Sequence, residues 1–409
     1  MIAMGKKCLY VLCLAASSSF CLGVSTAHAA TLTSEGHAAG AQCGASGVNN
    51  TGVVTGSCNP GNGTGAAVAY VSATLGAETT LPAIATGQTC GAGGITNSGV
   101  IVGRCADAND NVFAVTWNAN APTNPPTLLN PLPGLLGLGE DVSTGATGFD
   151  QLGAVIGESV SPTGTATAVL WPAGSSSAIA VSSPGDNCGA TDVNNTLVNG
   201  EPSVALNCPN AKGTNIAKIA QYTPLGYEAR PLPLPQSYSY CTVAGINNSL
   251  QAVGTCHTLA PDKPATAFWS TITSAPTMLT LVGNPINAAQ FINNRGHVIF
   301  SYQTSTGQSD SGYWDPVTGV VKTIPDLLGG TRAGVAGFAD NDTAVVNSDD
   351  ANETVEAAMW TFANGTVPIG FEGGGVASAL SAISENGQYG VGAAENSGHN
   401  LDAVRTQLP

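Results

Sequence analysis

Basic side chains are scarce in this chain. Eleven Lys and Arg stand against 26 Asp and Glu, a formal charge of −15. No Lys/Arg cluster relieves the imbalance, which disfavours nucleic acid and anionic lipid as partners. Charge of either sign is low, at 9% of residues, so solubility rests on Asn, Ser, Thr and exposed backbone. Beyond residue 30, no apolar run reaches the ~20 residues of a membrane span without Gly, Asn or charge, so no membrane insertion is expected. Helical periodicity is also missing, with no stretch of about ten residues repeating at 3.6, which points away from α and α/β folds. Histidine is sparse: His37, His257, His297 and His399 lie far apart, with no HExxH pattern. Gly44-Ala45-Ser46-Gly47 is not a GxSxG elbow, and no helix follows Gly61-Asn62-Gly63-Thr64-Gly65 to cradle a phosphate. These absences leave no catalytic, cofactor-binding or metal residue to nominate.

What is present begins with a leader. Lys6 and Lys7 precede an apolar run from Cys8 to about Gly23, and Ala27-His28-Ala29 stands before Ala30, the layout of a cleaved secretory signal. Cleavage after Ala29 places the mature chain in the periplasm or outside the cell. Leu12 and Phe20 before Cys13 and Cys21 are not the small residues that a lipidation site requires. With the leader removed, nine basic groups face 26 acidic ones.

The mature chain repeats. An apolar anchor followed by an Asn/Asp-rich turn recurs as Val48-Asn49-Asn50-Thr51-Gly52, Ile95-Thr96-Asn97-Ser98-Gly99, Ile246-Asn247-Asn248-Ser249 and Ile292-Asn293-Asn294-Arg295-Gly296. Weaker copies start at Phe149, Val193, Phe338 and Ile383. The eight anchors are spaced by roughly 45 to 55 residues, the size of one four-stranded propeller blade. Each unit reads as a strand of small residues, a turn in which Asn, Asp and Gly supply positive φ, a β-branched strand such as Val100 to Gly103, a third strand ending in an aromatic, and a Leu/Pro-rich fourth. The expected fold is all-β: a closed β-propeller of eight four-stranded blades over 30–409. The units run approximately 43–89, 90–143, 144–187, 188–240, 241–286, 287–331, 332–377 and 378–409. Thr31-Leu32-Thr33, within 30–42, is free to close the last blade and remove an exposed edge. Seven blades, two four-bladed rings or an open β-repeat array are the alternatives.

The motif Ile-Asn-Asn-x-Gly, the triplets Thr266-Ala267-Phe268, Asp402-Ala403-Val404 and Val112-Phe113-Ala114, and the turn Ile324-Pro325-Asp326-Leu327-Leu328-Gly329-Gly330 resemble the bacterial extracellular HAF repeat family. The histidine of that family's His-Ala-Phe triplet is absent from every copy here. The resemblance implies an exported repeat protein and no particular chemistry.

Eight cysteines follow the leader. Cys43, Cys90, Cys188 and Cys241 each lie five residues before an anchor; Cys58, Cys105 and Cys256 lie ten after, and Cys208 fifteen after. The midpoints of the 15-residue spans fall on the hairpin turns, so the sulfurs face each other across adjacent strands. Four disulfides within blades are expected: Cys43–Cys58, Cys90–Cys105, Cys188–Cys208 and Cys241–Cys256, as suits an oxidising compartment. Zinc or a redox pair is the alternative, without CxxC spacing to support it.

Three further features bear on function. The loops Asp107-Ala108-Asn109-Asp110-Asn111 and Asp349-Asp350-Ala351-Asn352-Glu353 have a calcium flavour but lack the Gly and Glu of a calcium loop, so no cofactor is expected and calcium is the alternative. Trp117, Trp171, Trp269, Trp314 and Trp360 recur at one repeat position, which marks them as packing residues between blades. Tyr222, Tyr227, Tyr238 and Tyr240 surround the Pro-rich insertion before Cys241, the place to seek a binding epitope, or rings that pack the insertion onto its own blade. Asp141, Asp192 and Glu201 are too scattered to nominate as catalytic acids. The expected function is an exported, non-catalytic binding or structural module, monomeric, with an unknown protein or glycan ligand. A secreted hydrolase or lyase acting on polysaccharide and an adhesin-like surface protein are the alternatives, so enzyme activity stays open.

Overall fold

The computed structural model describes residues 30–409 except 38–39, 61–64, 135–139, 282–285 and 328. The expected leader, most of the Gly61–Gly65 run and Leu328 of the Asp-Leu-Gly turn therefore lie outside the described residues. All regular structure among the described residues is strand, assembled as eight separate four-stranded antiparallel sheets. They form a closed eight-bladed β-propeller. Blades 1 to 8 start with the inner strands Gln42–Val48, Cys90–Ile95, Ser143–Phe149, Gly189–Val198, Tyr240–Ile246, Asn287–Ile292, Ala333–Phe338 and Ser378–Ile383. Within blades 1 to 7 the strands pair in chain order, which short hairpins dictate.

The last blade has three strands of its own, and its fourth is the N-terminal Thr33–Ser34, pairing with Arg405 and Val404 of Leu401–Gln407. The closing strand thus sits slightly later than Thr31-Leu32-Thr33. The closure carries a buried ion pair. The Arg405 guanidinium donates to both carboxylate oxygens of Glu35, which is fully buried, and to the Gly52 carbonyl at 2.9 Å, while Ser72 Oγ donates to Glu35 at 2.6 Å. One carboxylate therefore joins the N-terminal segment, blade 1 and blade 8.

The core is divided into eight apolar clusters, one at each seam between neighbouring blades. A single four-stranded sheet cannot bury its two faces alone, so each blade depends on both neighbours. The tryptophans sit where their repeat position indicates. Trp117 Nε1 donates to Pro82 O, Trp171 to Asn130 O and Trp269 to Pro233 O, at 2.8 to 2.9 Å, each bond reaching back to the preceding blade. Trp171, Trp269 and Trp360 are fully buried.

Four disulfides join Cys43–Cys58, Cys90–Cys105, Cys188–Cys208 and Cys241–Cys256. In blades 1, 2 and 5 the paired cysteines are directly opposite in the ladder. Blade 4 absorbs its longer span by extending the hairpin, with a register slip between Val193 and Leu197. Four disulfides fit an oxidising, extracellular or periplasmic location.

Every inner strand carries a one-residue bulge, for example between Ala45 and Gly47, Ala92 and Gly94, or Leu380 and Ala382. The bulge increases local twist and brings adjacent inner strands close. A Cβ on Gly47 would stand 2.7 Å from Gly94 Cα, so that position admits no side chain.

Candidate functional site

The turns that follow the inner strands gather at one mouth of the central channel, and the Asn-rich motif is what organises them. As expected, Gly, Asn and Asp supply the positive φ of these turns, at Gly52, Gly99, Gly153, Asn199, Gly200, Gly296, Asp342 and Gly387, with Leu250 as the exception; the Asn pairs themselves do not. The asparagines serve instead as hydrogen-bonding bridges. The first Asn of a pair caps its own turn, as Asn49 Oδ1 does by accepting from Thr51 N and Val53 N at 3.0 to 3.1 Å. Its Nδ2 then donates to the next blade: Asn49 to Thr96 O, Asn194 to Asn247 O, Asn247 to Asn293 O and Asn293 to Ala339 O.

The second Asn builds a closed collar. Asn50 N donates to Asn97 Oδ1, Asn97 N to Gln151 Oε1, Gln151 N to Asn195 Oδ1, Asn195 N to Asn248 Oδ1, Asn248 N to Asn294 Oδ1 and Asn294 N to Asp340 Oδ1, all at 2.7 to 2.9 Å. Asp340 N continues to the Glu385 carbonyl, and Asn386 N returns to Asn50 Oδ1, each at 2.9 Å. Eight turns are thereby joined in a ring that runs all the way round the axis.

Glu385 crosses this mouth. Its Oε2 accepts from Asn97 Nδ2 at 2.9 Å and its Oε1 from Asn195 Nδ2 at 3.2 Å. In an eight-membered ring, blade 4, which bears Asn195, stands opposite blade 8, so the three side chains span the opening. Burial raises the Glu385 carboxyl above its ordinary range, and the negative charge of Asp340 adds to this, against the two amide bonds. Asp340 itself accepts from Asn294 Nδ2 at 2.8 Å. The mouth is therefore polar and acidic, and Glu385 bridges it between Asn97 and Asn195, whose own Oδ1 atoms are held in the collar.

The residues singled out in the sequence are placed as follows. Tyr222 and Tyr227 meet edge to face at 5.3 Å on the outer hairpin of blade 4, and the Tyr227 hydroxyl donates to Pro202 O at 2.8 Å. Tyr238 packs against the apolar cluster between blades 4 and 5, and Tyr240 stacks on His257 at 4.6 Å. The four rings are thus shared between two blades. His37, His257, His297 and His399 each contact a different carboxylate, Glu78, Asp262, Asp342 and Glu395. Asp107 caps its own loop by accepting from Asn109 N and Asn111 N. Asp349 accepts from Thr331 N and Arg332 N, both at 2.7 Å. Asp141 accepts from Ser159 Oγ at 2.6 Å. Asp192 lies at the seam between blades 4 and 5, where Oδ2 accepts from Ile246 N at 2.8 Å and Oδ1 from Val193 N at 2.9 Å. Burial outweighs these bonds and pushes its carboxyl up to about 6. Asp141, Asp192 and Glu201 form no shared site. The sequence reading missed Glu385 and Asp340, whose only signal is an acid where other repeats carry Asn or Gln.

No family model matches the chain, and no curated protein matches it. Solved structures do share its fold. A post-proline cleaving enzyme from Rickettsia typhi matches with a TM-score of 0.54 at 10% identity, over 85% of this chain and 54% of that one. Prolyl oligopeptidase B from Galerina marginata, bound to a 35mer hydrolysis and macrocyclization substrate, matches with a TM-score of 0.53 at 10% identity, over 83% and 50%. A prolyl endopeptidase matches with a TM-score of 0.52 at 13% identity, over 80% and 48%. This chain spans about half the length of these peptidases, and the half that it matches is their propeller. The comparison corrects the functional expectation. A non-catalytic binding or structural module, with polysaccharide-acting and adhesin-like alternatives, is overturned by a ring whose structural neighbours are proline-specific peptidases.

Proposed function

We propose that this chain is the propeller unit of an exported peptidase of the prolyl oligopeptidase type, working on peptides that enter along its axis. The observation that carries the reading is the channel mouth closed by Glu385, Asn97 and Asn195 within a ring of hydrogen-bonded turns. The collar fixes Asn97 and Asn195 and leaves the Glu385 side chain as the adjustable group, which suits selective admission of a flexible chain. The peptidases with this architecture devote about half of their length to the propeller, and one of them is described through the role of inter-domain dynamics in catalysis and specificity. By analogy, the bond-cleaving groups belong to a unit beyond the ring, and the ring governs access. The acidic surface, the four disulfides and the leader from Lys6 to Ala29 support work outside the cytoplasm, with cleavage after Ala29.

The test is to purify the exported, oxidised protein and incubate it with proline-containing peptides of graded length. Binding is read by calorimetry. Binding that falls for folded domains and persists for extended peptides is expected. Peptides bound at no length would refute the proposal. Intact mass of the same sample checks removal of residues 1–29.

A further inference from the structure

Neighbouring blades are stitched together by polar side chains that meet the backbone of the next inner strand, and the stitches repeat at two positions. The first is the bulge residue: Ser46 Oγ donates to Ala92 O at 2.6 Å, Thr147 Oγ1 to Ala190 O at 2.8 Å, and Ser381 hydroxyl to Ala45 O at 2.5 Å. The second lies on the second strand: Ser57 Oγ accepts from Ala92 N and Thr255 Oγ1 from Ala289 N. Asn207 and Asn347 there do both tasks, bonding the N–H and carbonyl of Val243 and of Leu380 at 2.7 to 2.9 Å.

Among the described residues two seams lack both stitches: that between blades 6 and 7, where Gln290 and Ser301 hold the two positions, and that between blades 2 and 3. Between blades 2 and 3 the bulge residue is Gly93, which has no hydroxyl, and the second position is Arg104, which can only donate. Among the described residues no side chain of blade 2 meets the backbone N–H or carbonyl of Ala146. The inner strand of blade 3 is consequently more exposed than that of blade 1, which has the same length. Here a cavity of about 720 Å³ opens, with walls that include Gly93, Gly94, Gly145, Arg104 and Glu158. That volume lies in the range of ligand-binding sites. Arg104 and Glu158 line it without forming an ion pair with each other.

We infer that this seam is a binding site for an extended peptide segment bearing a carboxylate, which docks on Arg104 while the peptide backbone lies along Ala146. A guanidinium presents parallel N–H groups that match a carboxylate in bidentate fashion. The edge of the inner strand that faces away from its own sheet offers an N–H and a carbonyl at Ala146 for strand addition, and glycine walls let another backbone approach closely. Glu158 gives the same cavity a place for an ammonium or guanidinium of the peptide. The choice of a peptide rests on the peptidase reading above; the carboxylate site rests on the seam itself.

The seam supplies its own controls. Gly93→Ser combined with Arg104→Ser restores the residue types that stitch blades 1 and 2, and a Cβ on Gly93 meets only Val102 O at an ordinary 3.5 Å. This double variant is expected to fold and to melt no lower than the parent. Arg104→Gln removes the charge alone. Three fluorescent proline-containing peptides of about ten residues are used: one with a free C-terminal carboxylate, one with a C-terminal amide, and an amide with an internal Glu. Anisotropy titration of the oxidised protein is expected to show the carboxylate peptides binding at least tenfold more tightly than the plain amide. The free-acid and internal-Glu peptides tell a terminal from a side-chain carboxylate. Arg104→Gln and the double variant should lose that preference. Unchanged affinity in both variants would overturn the seam site and leave the peptidase reading standing. Failure of the parent protein to bind any peptide overturns both, and Arg104-dependent binding of N-acetylproline in that case would localise the error to the peptide.

Discussion

Replacing Asp192 with Asn should stabilise the protein at neutral pH and not at acid pH. The carboxyl sits in the inner strand of blade 4, against the backbone of blade 5, and burial lifts its pKa from 3.8 to about 6. A carboxyl whose folded pKa is raised binds its proton more tightly in the native state. Its favourable contribution is therefore fully present below the unfolded value near 4 and is lost as pH rises through 6. A shift of this size is worth up to about 3 kcal/mol between the two ends of that window. Asn cannot titrate, so the difference in stability between variant and parent should change by that amount. Asn has one carbonyl where Asp has two acceptors, so either Ile246 N or Val193 N loses its partner, a constant cost of about 1 kcal/mol. The variant should be less stable than the parent by about 1 kcal/mol at pH 3.5 and more stable by about 2 kcal/mol at pH 7.5. Urea unfolding of the oxidised proteins at pH 3.5, 5, 6 and 7.5 measures this directly. A difference that stays flat across the series would show that Asp192 is solvated in the seam and that the argument from burial is wrong.

Other outcomes follow from the same structure. Glu35→Ala leaves the Arg405 guanidinium at the ring closure without its carboxylate and should cost about 3 to 5 kcal/mol, read as a lower urea midpoint. Cys90→Ser with Cys105→Ser opens a 15-residue loop and should cost about 3 kcal/mol in the chain-entropy model, checked by the same unfolding experiment. Burial would raise Asp349, but N–H bonds from Thr331 and Arg332 hold its carboxyl down at about 2. Because its folded pKa is depressed, its contribution is present above about 4 and is lost as pH falls toward 2, and Asp349→Asn should flatten that part of an acid unfolding curve. Glu385→Ala should open the channel mouth while leaving the backbone ring intact, so peptide association rates rise with little change in melting temperature; slower association would contradict a gate.

The blade count, the disulfide pairs and the packing role of the tryptophans were legible because each rests on a spacing along the chain. Strand, turn and cysteine positions at a fixed offset from an anchor specify a local hairpin, and a hairpin is a short-range structure. The Asn pairs were visible, but their bridging role was not. Their side chains bond the turn of the neighbouring blade, about 45 to 55 residues away, and nothing local distinguishes that role from a positive-φ turn residue. Glu385 and Asn195 are 190 residues apart and meet only because eight blades close into a ring. Arg104 and Gly93 read as unremarkable repeat positions until the seam shows that their counterparts hold the blades together. The Tyr cluster of the Pro-rich insertion is a neighbourhood in sequence that the fold divides between two blades. The sequence by itself determined the unit: an antiparallel four-stranded sheet, its turns and its covalent braces, because these depend on period-two patterning and close spacing. The axial collar and the open seam were decided by tertiary structure, because each is a contact between side chains of different repeats, and local sequence does not encode which repeat faces which.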